Sequence, residues 1–255
     1  MKKLGQHFLK NPSALRKIVR AAEIKPGDTI VEVGPGHGEL TRFLLAANPK
    51  KMILVEKDGR FIEKLKGKFK TEPVEVIEGD ILKILPSLTQ KSGKYKLVGN
   101  IPYYLTGRLL RIAGELENKP ELIVFTIQKE VAERIAAQPP KMNLLAASVQ
   151  FWAKPEIIST IGKSNFSPPP KVESAIIRLT PFDQLGIDPD KYYKLIKVVF
   201  KQPRKTILNN LSASIKIPIT DLREVISGLK IYGNSRPQEL SVEKLKGLTD
   251  VMSLQ

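Results

Sequence analysis

Short apolar runs alternate with amphipathic stretches over the first two-thirds of the chain, a pattern that predicts a parallel α/β sheet. The predicted strands cover residues 29–34, 52–56, 74–78, 95–99 and 122–127. The predicted helices cover residues 13–23, with Ser13 as the cap, and 39–47, 60–69, 105–116 and 130–137. Strands and helices in this order are typical of repeated βαβ units.

The last third of the chain has a different pattern. A helix at 144–152 precedes two strands at 156–161 and 172–179, and the alternation in the second predicts an antiparallel strand. Helical patterns follow at 189–211, broken at Pro203, and at 221–229 and 242–252. We therefore expect an α/β catalytic domain over residues 1–183 and a small helical domain over residues 184–255.

Composition narrows the possible chemistry. The 255 residues include no cysteine, which excludes thiol nucleophiles, disulfides and cysteine-held iron–sulfur clusters. The two histidines, His7 and His37, have no second ligand at metal-binding spacing, so we expect no metal. No apolar run approaches the roughly 20 residues that span a bilayer, and the first ten residues lack a signal-peptide core. These features predict a cytoplasmic protein with no membrane partner.

The net charge is the next clue. With 42 Lys and Arg against 26 Asp and Glu, the chain carries a formal charge of +16. An excess of this size favours a polyanionic partner such as nucleic acid, although a lysine-rich surface without a partner gives the same count.

A glycine-rich turn closes the first predicted strand, in the sequence Val33-Gly34-Pro35-Gly36-His37-Gly38-Glu39. Glycines allow a tight turn and a close approach to a ligand. A dinucleotide site would need a third glycine three places after Gly36, where Glu39 stands, and an acidic residue there opposes a pyrophosphate. The turn therefore favours a cofactor without a phosphate chain.

Three polar residues follow the next strands. Glu56 ends the second, where a carboxylate can accept hydrogen bonds from ribose hydroxyls; Asp80 follows the third and can accept from an adenine amine; Asn100 follows the fourth. Ligands of open α/β sheets bind at this carboxyl edge. The ordered set predicts S-adenosylmethionine bound beside a target amine.

The tetrapeptide Asn100-Ile101-Pro102-Tyr103 addresses the chemistry of that amine. The lone pair of adenine N6 is delocalised into the ring, so alkylation needs acceptors for both N–H groups. The Asn100 side chain and the Ile101 carbonyl can accept them, and Pro102 fixes the backbone between. Tyr103 offers a ring on which a flipped base can stack.

On these motifs the sequence resembles the ribosomal RNA adenine N6-dimethyltransferases, which include the small-subunit (KsgA-type) enzymes and the erythromycin-resistance enzymes. The resemblance implies a Rossmann-like S-adenosylmethionine-dependent methyltransferase sheet. Through Gln6-His7-Phe8-Leu9 it also implies that His7 and Leu9 touch the cofactor, together with Gly34 and Gly36.

A late motif, Asn165-Phe166-Ser167-Pro168-Pro169-Pro170-Lys171-Val172-Glu173-Ser174, also matches the family. By the resemblance Phe166 stacks on the target base opposite Tyr103. Two departures concern RNA docking. Pro203-Arg204 stands where the family often has two arginines, and Met142-Asn143 replaces a common Tyr-Gly.

The predicted function is dimethylation of adjacent adenosines in small-subunit rRNA during ribosome biogenesis, by a monomer. The predicted RNA contacts have three- and four-residue helical spacing, with one arginine beside them: Lys191, Lys194, Lys197, Lys201, Arg204 and Lys205. A second basic cluster contains Lys2, Lys3, Lys10, Arg16, Lys17 and Arg20. The alternatives are a large-subunit methyltransferase of the resistance type and a non-catalytic assembly or transcription factor on the same fold.

Overall fold

The computed structural model describes residues 7–91, 93–183, 186–215 and 217–252, so Lys2, Lys3 and Gln6 lie outside the described residues. The chain forms two compact units. Residues 1–132 and 154–181 make one, here called the sheet unit, and residues 133–153 and 182–255 make the other, the helical unit. The expected boundary at 183 lies close to the division at 181, but residues 133–153, which we placed in the catalytic domain, pack with the helical unit.

A seven-stranded sheet dominates the fold. The strands along the chain are β1 (Phe8–Leu9), β2 (Thr29–Val33), β3 (Lys51–Glu56), β4 (Val74–Glu78), β5 (Lys96–Asn100), β6 (Leu122–Gln128), β7 (Ala153–Ile161), β8 (Phe166–Ser167) and β9 (Ser174–Pro181). The large sheet has the order β4-β3-β2-β5-β6-β9-β7. Strands β2 to β6 pair in parallel and β9 pairs antiparallel with β6, as the patterns predicted.

Helices alternate with the parallel strands along the chain: α1 (Pro12–Ala22), α2 (Glu39–Leu45), α3 (Gly59–Lys68), α4 (Ile81–Lys91), α5 (Thr106–Glu115) and α6 (Lys129–Ile135). Helices α2 to α5 connect the parallel strands, α1 precedes the first of them and α6 follows the last. Ser13 is not the cap of α1: the Asn11 side chain accepts hydrogen bonds from the backbone N–H groups of Ser13 and Ala14. Helix α4 was not among the predicted elements. It tolerates Pro86 inside it, and Ile81 and Leu85 anchor it by burial.

A second, two-stranded pairing holds the start of the described chain. β1 runs antiparallel to β8, with Phe8 opposite Ser167 and Leu9 opposite Phe166. The Lys10 N–H extends the pairing by donating to the Asn165 carbonyl over 2.9 Å. Residues 7–10, called the N-terminal strap below, are thereby fixed to the loop that carries Phe166. Strands of two residues have no periodicity, so the sequence did not predict them.

The helical unit contains α7 (Leu144–Gln150), α8 (Pro189–Val199), α9 (Ile207–Ser212), α10 (Ile219–Gly228) and α11 (Val242–Val251). The Phe151 ring stacks on that of Tyr192, with centroids 4.0 Å apart, and the Tyr192 hydroxyl donates to the Ala147 carbonyl over 3.0 Å. These contacts are the physical reason why residues 133–153 join this unit.

The predicted break near Pro203 is present, since α8 ends at Val199 and α9 begins at Ile207. Lys191, Lys194 and Lys197 therefore lie on α8, whereas Lys201 and Lys205 lie in the connecting turns. The helical spacing of the five lysines is therefore realised on one helix for the first three alone. Within the described ranges, no helix is long and apolar enough to cross a membrane.

Candidate methyl-transfer site

The carboxyl edge of the sheet opens into one cavity of the sheet unit. Its volume is about 1060 Å³, including the open mouth. The predicted site residues on its wall are His7, Gly34, Gly36, Glu56, Asp80, Asn100, Ile101, Pro102, Tyr103 and Phe166. The strands place these residues together because parallel strands present their carboxyl ends at the same edge.

Leu9 is the exception among the predicted cofactor residues. Its side chain is 3% exposed and packs in the core. Successive side chains of a strand point to opposite sides, so Phe8 turns towards the cavity and Leu9 turns away. The strap residue whose side chain lies on the cavity wall is therefore Phe8, and contact of Leu9 with the cofactor stays a prediction.

The glycine-rich turn has the backbone that its composition predicted. Gly34 and Gly36 have φ angles of +64° and +57°, in the left-handed region that favours glycine. A Cβ on Gly36 would lie 2.6 Å from the Phe8 ring, whereas a Cβ on Gly34 would meet nothing within 4 Å. Gly36 therefore allows the strap to pack against the turn, and Gly34 leaves space at the cavity wall.

Glu56 is buried but keeps acceptor capacity. One carboxylate oxygen accepts from the Gly36 N–H over 3.0 Å and the other from the Asp58 N–H over 2.8 Å. An ionised carboxylate has about four lone-pair positions, so each oxygen can accept one more hydrogen bond. Two adjacent hydroxyls, as on a ribose, fit this residual capacity.

Asp80 combines a structural and a polar role. Its Oδ1 accepts from the Leu82 N–H at the start of α4 over 3.1 Å, and its Oδ2 accepts from Lys57 Nζ over 2.8 Å. The hydrogen bond from Lys57 is the largest cause that holds the pKa of Asp80 below its usual value. Asp80 is therefore an ionised acceptor on the cavity wall.

The orientation of the Asn100 amide is fixed by the strap. Its Nδ2 donates to the His7 backbone carbonyl over 2.9 Å. A carbonyl oxygen can only accept, so the nitrogen must face His7 and Oδ1 is left as the acceptor towards the rest of the site. Pro102, with φ −57°, holds the backbone that follows the Ile101 carbonyl.

Tyr103 and His7 support each other beside Asn100. The Tyr103 hydroxyl lies 2.8 Å from the Ser174 Oγ, and burial raises the pKa of Tyr103, so the phenol is neutral. The His7 Nδ1 lies 2.8 Å from the Pro168 carbonyl, which requires a proton on Nδ1. The two rings are stacked with centroids 6.1 Å apart. The Tyr103 ring is thus held in place while partly exposed.

Phe166 is placed differently from the expectation. Its side chain lies on the cavity wall but is only 5% exposed and belongs to the hydrophobic core. Stacking of Phe166 on a target base remains a prediction, and it requires more of the ring to be uncovered than this structure shows.

Comparison with known proteins decides the family. The sequence model of the family described as ribosomal RNA adenine dimethylase matches residues 1–246. The chain belongs to this family. Among its relatives, ribosomal RNA small subunit methyltransferase A of Dehalococcoides mccartyi strain CBDB1 is 40% identical over 252 residues, covering 97% of this chain and 86% of the relative. The protein of the same name from Acidobacterium capsulatum is 37% identical over 253 residues, with 96% and 89% covered.

Solved structures agree with this membership. A dimethyladenosine transferase from Plasmodium falciparum is 29% identical, with a TM-score of 0.82 over 96% of this chain and 97% of that chain. The 23S rRNA methyltransferase ErmE is 23% identical, with a TM-score of 0.79 over 95% and 98% of the two chains, a likeness of fold. The resemblance, the Rossmann-like methyltransferase fold and the enzyme class predicted from the sequence are confirmed.

S-adenosylmethionine is the methyl donor of this adenine dimethylase, as predicted. The cavity fits this cofactor. Glu56 has acceptor capacity for ribose hydroxyls and Asp80 for an amine, while Val55, Ile81 and Leu82 give apolar wall between them. A neutral sugar and a flat base bind well to a wall of this composition.

Several functional candidates were missed by the sequence analysis. Besides Phe8, the cavity is lined by Lys57, Tyr104 and Arg108. Tyr104 directly follows the tetrapeptide, and its position there was the available signal. Arg108 lies two residues into α5, and nothing in the sequence separates it from any other surface arginine.

Glu32 was not singled out from the sequence. It is fully buried one residue before the end of β2, and its Oε2 accepts from the Thr41 hydroxyl over 2.8 Å. Burial raises the pKa of Glu32 to about 8, so this carboxyl is mostly protonated at neutral pH.

Proposed function

We propose that this family member transfers methyl groups to N6 of adjacent adenosines in small-subunit ribosomal RNA, as a monomer and during ribosome biogenesis. The observation that carries the proposal is the amide of Asn100, which lines the cavity with its nitrogen bonded to the His7 carbonyl, so that its oxygen is left to accept from an amine. The relatives named as small subunit methyltransferases support the choice of RNA.

S-adenosylmethionine supplies a methyl group on a positively charged sulfur, which needs no metal or covalent nucleophile. Asn100 Oδ1 and the Ile101 carbonyl accept the two N6 hydrogens, which turns the nitrogen lone pair out of the adenine plane. As positive charge develops on N6, both acceptors bind it more strongly, so they lower the barrier. The alkylated nitrogen is acidic, and no side chain of the cavity has to serve as a strong base.

Tyr103 positions the base for this step. Its hydroxyl is held by Ser174 and its ring by His7, so little freedom is lost when an adenine stacks on it. Stacking on this ring offsets the free energy that a flipped nucleotide loses when it leaves its base pair.

The basic residues support an RNA substrate. Lys191, Lys194 and Lys197 are exposed along α8, and Lys201, Arg204 and Lys205 are exposed in the turns after it. Their proposed role is to bind backbone phosphates. A protein that acts on ribosomal RNA encounters it in the cytoplasm, which supports the proposed cytoplasmic location.

The decisive experiment is methyl transfer from labelled S-adenosylmethionine to undermethylated small subunits and, separately, to large subunits, followed by mapping of the labelled bases. We expect two adjacent dimethylated adenosines in the small subunit. Label in the large subunit alone would indicate the resistance-type activity. Tight binding of small subunits without any transfer would indicate a non-catalytic factor.

A further inference from the structure

Three side chains at the mouth of the cavity lie outside the methyl-transfer machinery described above. Lys57 follows β3, Tyr104 follows the tetrapeptide, and Arg108 lies on α5. All three line the cavity. We call Lys57, Tyr104 and Arg108 the rim cluster.

Tyr104 is the exposed aromatic of this cluster. Its side chain is 62% exposed, while the neighbouring Tyr103 is half-buried and has its hydroxyl hydrogen-bonded to Ser174. Tyr104 therefore adds little to the core, and its ring is available at the edge of the site. An exposed ring beside basic side chains is the combination that single-stranded nucleic acids use for base stacking.

Arg108 is the cation of the cluster without a committed anion. Lys57 already pairs with Asp80 over 2.8 Å. Arg108 is near enough to both for its charge to add to the lowering of the Asp80 pKa and to oppose the rise that Asp80 causes in the pKa of Lys57, but it forms no hydrogen bond or ion pair with any described residue. Arg111, one turn further along α5, pairs with Glu115 over 2.9 Å. The two arginines of one helix thus differ in whether a partner is present.

The position of Arg108 argues against a cofactor anion as its partner. Arg108 acts on Asp80, the residue whose acceptor oxygens suit the adenine amine of the cofactor. That end of S-adenosylmethionine carries no negative charge. A guanidinium there fits a phosphate, with which it can form two parallel hydrogen bonds.

We propose that the rim cluster binds the nucleotide next to the target adenosine, with Tyr104 stacked on its base and Arg108 paired with its backbone phosphate. The ligand class is single-stranded RNA in an unpaired segment. Lys57 adds charge at the same edge while remaining paired with Asp80. The proposal rests on the proposed function, since it assigns the flanking position of the same substrate.

The test compares Arg108→Ala and Tyr104→Ala with Arg111→Ala, which removes an equal charge from the same helix. The affinity for a short adenosine-containing single-stranded RNA is measured at several salt concentrations, and the Kd for S-adenosylmethionine is measured separately. The KM and kcat of methyl transfer are measured on small subunits. Thermal unfolding confirms that each variant is folded, and Tyr104→Trp and Arg108→Lys serve as conservative variants.

We expect Tyr104→Ala to weaken RNA binding roughly five- to a hundredfold, with Tyr104→Trp retaining most of it. Arg108→Ala should reduce the slope of log affinity against log salt by about 0.7, the value for one phosphate on a single strand, and raise the KM for RNA. The Kd for S-adenosylmethionine and the Arg111→Ala affinities should stay within about twofold of wild type.

Two outcomes would overturn the proposal. A weaker Kd for S-adenosylmethionine with unchanged RNA binding would assign Arg108 to the cofactor, and equal losses in Arg108→Ala and Arg111→Ala would reduce it to general surface charge. Failure of the proposed function is distinguishable, because wild type would then transfer no methyl group while the RNA-binding comparison would still report on the rim cluster.

Discussion

Polar side chains at the two ends of the parallel strands differ in how much of their hydrogen-bonding capacity is satisfied within the protein. At the amino end, Lys96 and Asp28 are largely buried and bonded to each other over 2.8 Å. At the carboxyl end, backbone groups satisfy only part of the hydrogen-bonding capacity of Glu56 and Asn100, and the remaining part is available to a ligand. Completed pairs stabilise the fold, whereas incomplete ones leave acceptors for a ligand. This difference separates structural from functional polar residues within one sheet.

The largest expected effect comes from removing the catalytic acceptor. Asn100→Ala should lower kcat by at least about 10²–10³-fold, the loss typical of a deleted transition-state hydrogen bond, with the Kd for S-adenosylmethionine nearly unchanged. Labelled methyl transfer and calorimetry measure the two quantities. Asn118→Ala is the control at the amino end, where Nδ2 donates to the Gly93 carbonyl. Turnover near the wild-type rate in Asn100→Ala would refute the mechanism.

A stability effect should appear at the opposite end. Lys96→Ala removes the charged partner of Asp28 and leaves it the hydrogen bond from the Lys25 N–H. It should lower the free energy of unfolding by about 3 kcal/mol, while the kcat of the folded enzyme stays within about twofold. Chemical denaturation and methyl-transfer assays check both parts. Lys94→Ala, which breaks an exposed ion pair with Glu121, should cost under about 1 kcal/mol. An equal loss in both variants would contradict the assigned role of Lys96.

The same pair has a pH signature. Burial pushes the pKa of Asp28 up, but the hydrogen bonds from the Lys96 side chain and the Lys25 N–H, together with the charges of both lysines, outweigh it, so the pKa lies below its ordinary value of 3.8. A depressed carboxyl pKa contributes stability above the unfolded value and loses it as the pH falls through the folded value.

Glu32 lies near the carboxyl end of β2, but it is buried and accepts a hydrogen bond from Thr41, so it resembles the paired residues at the amino end of the sheet. It therefore provides a test of the comparison. Its pKa of about 8, against an ordinary 4.5, means that the folded state holds the extra proton between those values. Stability from this group is therefore full at low pH and falls as the pH rises from 4.5 to 8. Glu32→Gln should remove the decline, worth roughly 3 kcal/mol, in denaturation curves measured from pH 5 to 9. The exposed Glu63→Gln is the control, and parallel pH profiles for wild type and Glu32→Gln would contradict the assignment.

The smallest effects should come from the helical unit, where no single lysine is decisive. Replacing Lys191, Lys194 and Lys197 together by glutamine should lower the salt slope of RNA binding by about 2 and leave the Kd for S-adenosylmethionine unchanged. Filter binding at several salt concentrations measures the slope. The charge-matched control replaces three exposed lysines of the sheet unit: Lys64, Lys66 and Lys70. The same change of slope in the control would show that the α8 lysines have no special role.

Much of the fold was predictable because apolar runs mark buried strands without reference to distant residues. Glu56, Asp80 and Asn100 were found for the same reason, since each follows such a strand. The features that escaped depend on contacts remote in sequence. Examples are the β1–β8 pairing and the packing of Phe151 on Tyr192, which moved residues 133–153 to the helical unit.

Other failures were local. No helix was predicted where α4 lies; it contains Pro86, and buried side chains such as Ile81 and Leu85 hold it against the core. Asn11 and Ser13 are both good helix caps, and only the backbone decides between them. Whether Arg108 has an ion-pair partner depends on the side chains that surround it on the surface. The hydrophobic periodicity of the sequence carries no information about those neighbours.

The hydrogen bond between the Asn100 amide and the His7 carbonyl joins residues 93 positions apart in the chain. Because every amino acid at position 7 supplies the same carbonyl, point substitutions there leave this alignment intact. An inserted or deleted residue in the strap is another matter: it shifts the strand by one place and exchanges the directions of neighbouring side chains. For this hydrogen bond the length of the strap therefore matters more than the residue type at position 7, and the support of Tyr103 by the His7 ring is what a substitution there would remove.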